Sequence, residues 1–207
     1  MTLSDEAYAE IKRMIITLEL PPDAVVDEST LQARLNIGRT PIREAVQRLE
    51  RDQFVRVIPR RGVFVTSVDV AELNLLFETR SVIEPYAAKL AAERGMPAVW
   101  VAMEEALANI ESITPEQALA VDRRCHELMW EAAENRFLTD TLDMLYAQSE
   151  RVWYLFVRDA IDMQHVLAEH REVLEVLRSG NGELAASLMA NHVQTFHHEI
   201  RARSGPS

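Results

Sequence analysis

Leu35-Asn36-Ile37-Gly38-Arg39-Thr40-Pro41-Ile42-Arg43-Glu44-Ala45-Val46-Gln47-Arg48-Leu49-Glu50 is the stretch on which the fold turns. Asn36 and Gly38 tolerate the positive φ of a tight turn. Ile42, Val46 and Leu49 share one face, which predicts a helix from about Arg39 to Arg51. Pro41 falls in the first turn of that helix, where a missing N–H costs little. A shorter helix from about Glu28 to Leu35 precedes the turn. The three-residue connection Asn36-Ile37-Gly38 is the length that a helix-turn-helix uses.

Upstream, Tyr8, Ile11, Ile15 and Leu18 keep helical spacing behind Ser4 or Asp5 as N-cap, and Pro21-Pro22 ends that run. Downstream, Phe54-Val55-Arg56-Val57-Ile58 and Val63-Phe64-Val65-Thr66 read as strands joined by the turn Pro59-Arg60-Arg61-Gly62. Three helices and a hairpin predict a winged helix-turn-helix over residues 1–66. After a linker near Thr66 to Asp69 the texture changes. No convincing strand is found beyond it, and helices are expected at about 69–94, 97–112, 115–133, 136–159, 162–178 and 182–202. The breaks are Gly95-Met96-Pro97, Thr114-Pro115, Asn135 and Ser179-Gly180-Asn181-Gly182. The expected fold is therefore mainly α: a winged reader, then an all-helical bundle over 69–203.

The 207 residues are 48% hydrophobic, enough for two cores, and only Arg203 to Ser207 looks disordered. No apolar run approaches the ~18 residues of a membrane span. Met1 to Ala9 carries Asp5 and Glu6 and no basic n-region, so it does not read as a signal peptide. The lone Cys125 excludes an internal disulfide. Together these predict a soluble cytoplasmic protein with no membrane partner. The net charge of −11 argues against nucleic acid until its distribution is considered. Residues 34–61 hold eight arginines (34, 39, 43, 48, 51, 56, 60 and 61) against Glu44, Glu50 and Asp52, a local +5 on an acidic chain. Such an island suits a DNA footprint. It equally suits a solvated arginine surface or a small basic subdomain that binds protein.

In the DNA reading, the helix at Arg39 enters the major groove by its N-terminal end. Arg39 and Arg43, four apart, carry the fork that fits guanine O6 and N7. Thr40 and the helix terminus can hold a phosphate. Arg60 and Arg61 sit at the hairpin tip, in reach of the minor groove or the backbone. Residues 35–65 closely resemble the GntR family signature, in the run quoted above and in Pro59-Arg60-Arg61-Gly62-Val63-Phe64-Val65. Asn36 stands where that signature has Gly, and Gly38 where it has Ser, a better cap. The resemblance implies that Arg39, Thr40, Arg43 and Gly62 lie at the DNA; Arg61 is added from its place at the hairpin tip. One small reader makes few base contacts, so a homodimer on a two-fold symmetric double-stranded operator is expected.

The second half offers a constellation. His126 lies four residues after Asp122, on a face with Leu119, Met129 and Ala133. His170 shares a stripe with Met163, Leu167, Leu174 and Leu177, and His192 one with Leu184, Leu188 and Phe196. Three inward histidines and an inward carboxylate need partners. A core histidine bonded to a neighbour is the common case; a shared zinc, nickel, iron or manganese is the other. Residues 72–192 resemble the helical effector domain of the FadR-type subfamily, called FCD. The marks are Arg80 to Glu84, Asp122 to His126, Ala132 to Asn135, Glu169-His170 and Asn191-His192. That resemblance implies a divalent metal, zinc first, held by Asp122, His126, His170 and His192. His165, His197 and His198 match no motif, and Cys125 points about 100° from His126.

Arg80 and Glu84 fall on the core-facing stripe of Leu73, Leu76, Phe77, Ala87 and Ala91. An i,i+4 ion pair is one reading; a guanidinium aimed at a ligand carboxylate is the other. The resemblance implies a small organic acid effector, a hydroxy acid, sugar acid or dicarboxylate, bridging the metal and Arg80. Arg151, Tyr154 and Arg158 are further candidates for the pocket wall. The rival functions are a regulator for which the metal itself is the signal, and a metal-dependent enzyme with Glu84 as base. The reader argues against an enzyme.

Overall fold

The computed structural model describes residues 2–156 and 163–203. Two compact units emerge: Met1–Asp69 together with Glu150–Leu155, and Val70–Ser149 together with Phe156–Ser207.

In the first unit, α1 (Leu3–Ile16) starts two or three residues earlier than its apolar pattern suggests. Its N-cap is Thr2, not Ser4 or Asp5: the Thr2 hydroxyl accepts from the Asp5 amide (3.1 Å), and the Asp5 carboxylate accepts from the Thr2 amide (2.9 Å). The helix ends before Pro21, and Leu18 already lies outside it at φ 63°. Asp27 caps α2 (Glu28–Leu35) through the Thr30 amide at 2.7 Å. Asn36 closes α2 in the left-handed region at φ 54°. α3 (Arg39–Arg51) packs Ile42, Ala45, Val46 and Leu49 against Ala7, Ile11, Met14 and Ile15 of α1.

β1 (Val55–Ile58) and β2 (Gly62–Val65) form the antiparallel hairpin, with Val55 opposite Val65. A third extended segment joins them: Val25 bridges Phe64, and the Val26 amide donates to the Val63 carbonyl at 2.9 Å. Sequence reasoning does not find it, because Pro21-Pro22 reads only as a stop. At the hairpin tip the Arg61 amide donates to the Ile58 carbonyl at 3.0 Å. Gly62 sits at φ 114° with open space where a Cβ would be, so its backbone and not crowding calls for glycine. Arg151 is buried in this unit and donates to the Thr66 hydroxyl at 2.9 Å and to the Thr66 carbonyl. Burial outweighs the opposing charge of Asp23 and pulls its pKa down to about 10.

The second unit is helical: α4 (Val70–Arg94), α5 (Pro97–Ala106), α6 (Pro115–Ala132), α7 (Arg136–Phe156), α8 (Met163–Ser179) and α9 (Gly182–Arg203). α9, α6 and α8 pack on α4, and α5 packs on α6 and α8. α5 stops short of the expected 112, since Leu107 and Ile110 turn into the core as the chain leaves the helix. Thr114 and Gln117 form a capping box that starts α6. The expected end of the helix at 159 and the start at 162 fall outside the described residues. No helix among the described residues is long and apolar enough to cross a membrane.

Candidate functional site

The charged face of the first unit is smaller than the arginine count suggests. Arg34, Arg48 and Arg56 are paired with Glu19, Asp5 and Asp23. Arg48 also lies 4.2 Å from the Tyr8 ring centroid, as part of the α1–α3 packing. What remains is Arg39, Thr40 and Arg43 at the start of α3, Arg51 at its end, and Arg60, Arg61 and Gly62 in the hairpin turn, all exposed. Arg39, Arg51, Arg60 and Arg61 have no ion pair among the described residues. Arg43 has a loose one, its Nε 3.4 Å from Glu28 Oε2. The first turn of α3 carries no acid, and Gly38 makes no side-chain cap. Its leading amides are therefore available to an anion.

In the second unit, four buried side chains converge. Asp122 and His126 come from one face of α6, His170 from α8 and His192 from α9. One ligand atom from each lies within 4.8 Å of all the others. His170 Nε2 is 2.6 Å from Asp122 Oδ1, and the Nε2 atoms of His126 and His192 face each other at 3.2 Å. Tyr146 of α7 donates to Asp122 Oδ2. Behind the histidines stand two carboxylates. Glu169 Oε2 is 2.7 Å from His192 Nδ1, and Glu84 Oε1 is 2.6 Å from His126 Nδ1, off the line of a straight hydrogen bond. Glu84 is wholly buried and holds Arg80, whose Nε and Nη2 lie 2.9 and 2.8 Å from Glu84 Oε2. Arg80 Nη1 donates to Ser149 Oγ at 2.9 Å.

Burial alone would raise the Asp122 carboxyl, but the surrounding imidazoles of His170, His126 and His192 hold it well below the usual range. Burial also opposes the charge on Glu84, and Arg80 and His126 outweigh it, bringing that pKa to about 2. At His170 burial wins over Asp122 and lowers the imidazole to about 4. At His192 burial is overcome by the Glu169 hydrogen bond and the Asp122 and Glu84 charges, and the pKa rises. The cluster thus gathers three carboxylates held below the usual range, Asp122, Glu84 and Glu169, around three imidazoles.

These donors suit a divalent cation. Two facing Nε2 atoms, each backed by a carboxylate at Nδ1, are better accommodated by a cation than by each other. The four donors proposed from sequence do come together. Sequence reasoning gives Tyr146, Ser149 and Glu169 no part in the site: Tyr146 and Ser149 reach it from α7, and Glu169 of α8 reaches across to His192 of α9, contacts that spacing along one helix does not reveal. Cys125 is buried, is not one of the converging donors, and has its thiol pushed far up by burial and by the Asp122 charge. His197 Nε2 is paired with Asn74 Oδ1 at 3.1 Å, and its ring stacks on Phe77. Arg151 serves Thr66, and Arg158 lies outside the described residues.

Comparison with known proteins supplies the context. Residues 3–65 match the family described as bacterial regulatory proteins, gntR family, and residues 75–195 match the FCD domain. The HTH-type transcriptional repressor RspR of Escherichia coli (strain K12) is 23% identical over 203 residues, covering 96% of this chain and 89% of that protein. An HTH-type transcriptional regulator in the TAR-I ttuE-ttuC' intergenic region of Agrobacterium vitis is 30% identical over 132 residues, covering 63% of this chain and 74% of that protein. The solved structure of E. coli McbR/YncC superposes with a TM-score of 0.84 at 19% identity, over 99% of this chain and 100% of that one.

Proposed function

This chain belongs to the gntR family of bacterial regulatory proteins and carries an FCD domain, and from that premise we propose that a small carboxylate bound at a metal in the helical unit sets its affinity for a two-fold symmetric operator. It is a DNA-binding transcriptional regulator, and its relatives are regulators and not enzymes. The observation that carries the proposal is the buried convergence of Asp122, His126, His170 and His192. These residues would hold the divalent ion, zinc first and nickel, manganese or iron otherwise. A bound ion would offer a Lewis-acidic point for an organic acid. Arg80 is the second anchor. Its Nε, one Nη2 and one Nη1 hydrogen are directed at Glu84 and Ser149, which leaves hydrogens on Nη1 and Nη2 for a ligand carboxylate. The ion pair with Glu84 and the acid-binding role are therefore compatible.

The test is a titration of the operator complex with hydroxy acids, sugar acids and dicarboxylates. Wild type is expected to respond, and Arg80→Ala to need at least about ten times more acid, as loss of a charged hydrogen bond of ~1.5–3 kcal/mol implies. Arg80→Ala strands the buried Glu84, so Arg80→Lys is the companion: it keeps a charge for Glu84 and loses the fork. Equal response in Arg80→Lys and wild type would leave Arg80 as a partner of Glu84 alone. If chelator alone releases the operator at fixed acid, the metal is itself the signal.

A symmetric operator needs two readers, and α4 offers a surface for a second copy of this chain. Leu75, Val82 and Tyr86 are 63%, 70% and 52% exposed along one line of a 25-residue helix. Seven and four residues separate them, the spacing of a helix–helix seam. Val82→Glu is expected to turn a dimer into a monomer in sedimentation and to weaken operator binding, because the second half-site is lost. A Val82→Glu protein that stays dimeric would move the interface elsewhere.

A further inference from the structure

The four donors are not held alike. The Nδ1 atoms of His126 and His192 lie 2.6 and 2.7 Å from carboxylate oxygens. At His192 this is a hydrogen bond, so Nδ1 carries the ring proton; at His126 the contact lies off the hydrogen-bond line, and the proton is assigned to Nδ1 because two lone pairs do not approach to 2.6 Å. With one N–H per ring placed on Nδ1, the lone pair of each ring falls on Nε2, and the two Nε2 atoms are 3.2 Å apart. His170 is built the other way round. Its Nε2 lies 2.6 Å from Asp122 Oδ1 and needs a proton there. Its Nδ1 is buried and has no hydrogen-bond partner among the described residues.

We infer that Glu84 and Glu169 are the positioning residues of this cluster: they keep the ring protons of His126 and His192 on Nδ1 and aim both Nε2 lone pairs at one cation, while His170 is the donor that must change tautomer to join. The inference rests on the metal reading above. Outer carboxylates of this kind fix ring orientation and strengthen the imidazole as a donor. Glu84 is itself tied to Arg80, which Ser149 also holds, so the first of these supports is also the residue that the effector anchor grips. Glu169 is only partly buried, its side chain 24% exposed, and stands between His192 and the exposed His165, whose Nε2 is 3.8 Å away.

The experiment uses the full-length protein. Long-range nitrogen–proton NMR on the metal-free form reads the tautomers directly. The expected pattern is Nδ1–H at His126 and His192 and Nε2–H at His170. Cobalt(II) affinity is then measured by chelator competition. Glu169→Gln is expected to raise the cobalt(II) dissociation constant roughly 10–100-fold and to loosen the tautomer preference of His192, with the metal-free melting temperature unchanged. Glu169→Asp should recover part of the loss, and His165→Ala should change nothing. Glu84→Gln leaves Arg80 buried without its partner, so it is paired with Arg80→Met/Glu84→Gln; both should lose affinity. Wild-type affinity in Glu169→Gln, or an Nε2–H tautomer at His126 and His192 in the wild type, overturns the assignment. A wild type that binds no cobalt(II) overturns the metal reading instead, and its tautomers still report separately on the two glutamates.

Discussion

Replacing Arg43 by alanine is expected to abolish the preference for operator over random DNA while leaving both units folded. Arg43 projects from the first turns of α3, its side chain 58% exposed, and its one ion pair among the described residues is the 3.4 Å approach to Glu28. Little holds it in the free protein, so its guanidinium is available to a base edge. A bidentate contact to guanine is worth ~1–3 kcal/mol of discrimination, or roughly 5–150-fold in affinity at each half-site. A dimer on a symmetric operator loses the contact twice. Non-specific binding should survive, since Arg39, Arg60, Arg61 and the amides at the head of α3 still meet phosphate. Anisotropy titrations on a selected operator and on scrambled DNA, at one stated salt concentration, measure the ratio. Arg48→Ala is the contrast: Arg48 holds Asp5 and lies over Tyr8, so its loss should cost stability and leave the preference intact. An unchanged ratio in Arg43→Ala would remove that residue from base reading.

His192→Ala and His170→Ala are each expected to lower metal content and melting temperature together. The donors tie α6, α8 and α9 to one point, and metal affinity is part of folding free energy. A ligand at about 1,000 times its dissociation constant stabilises the fold by ~4 kcal/mol. In a chain of this size that corresponds to about 10 °C. Wild type should lose this increment on treatment with a strong chelator, and the variants should have little of it to lose. Comparing the melting temperatures with and without chelator separates the metal's contribution from the cost of a cavity at a buried imidazole, which both conditions share. Full metal occupancy in either variant, measured by mass spectrometry of the metal, would place the site elsewhere.

The parts of this architecture legible in the sequence are those whose signals are local. The turn at Asn36 and the proline in the first turn of α3 mark helix boundaries through backbone sterics, which a neighbour in the fold does little to change. The hairpin tip at Arg60-Arg61-Gly62 is set in the same way, and Gly62 at φ 114° shows why that position reads as a turn. Where a cap depends on which of several polar residues wins, local reading slips: Thr2 caps α1 because Asp5 answers it, whereas pattern alone favours Ser4 or Asp5 equally. The segment Asp23–Val26 is invisible to pattern because four residues behind two prolines carry no period, and its pairing with β2 is a long-range choice.

The same division runs through the site. By itself the sequence determined the chemistry available: a carboxylate and three imidazoles on inward stripes, and an arginine one helical turn from a glutamate. It did so because the 3.6-residue period decides which side chains share a face. Only the tertiary structure decided that α6, α8 and α9 aim those stripes at one point, and that Glu84 and Glu169 stand behind His126 and His192. It alone placed Tyr146 and Ser149 of α7 against Asp122 and Arg80. These contacts span 23 to 69 residues of sequence, and helix packing, not spacing along a helix, brings them together.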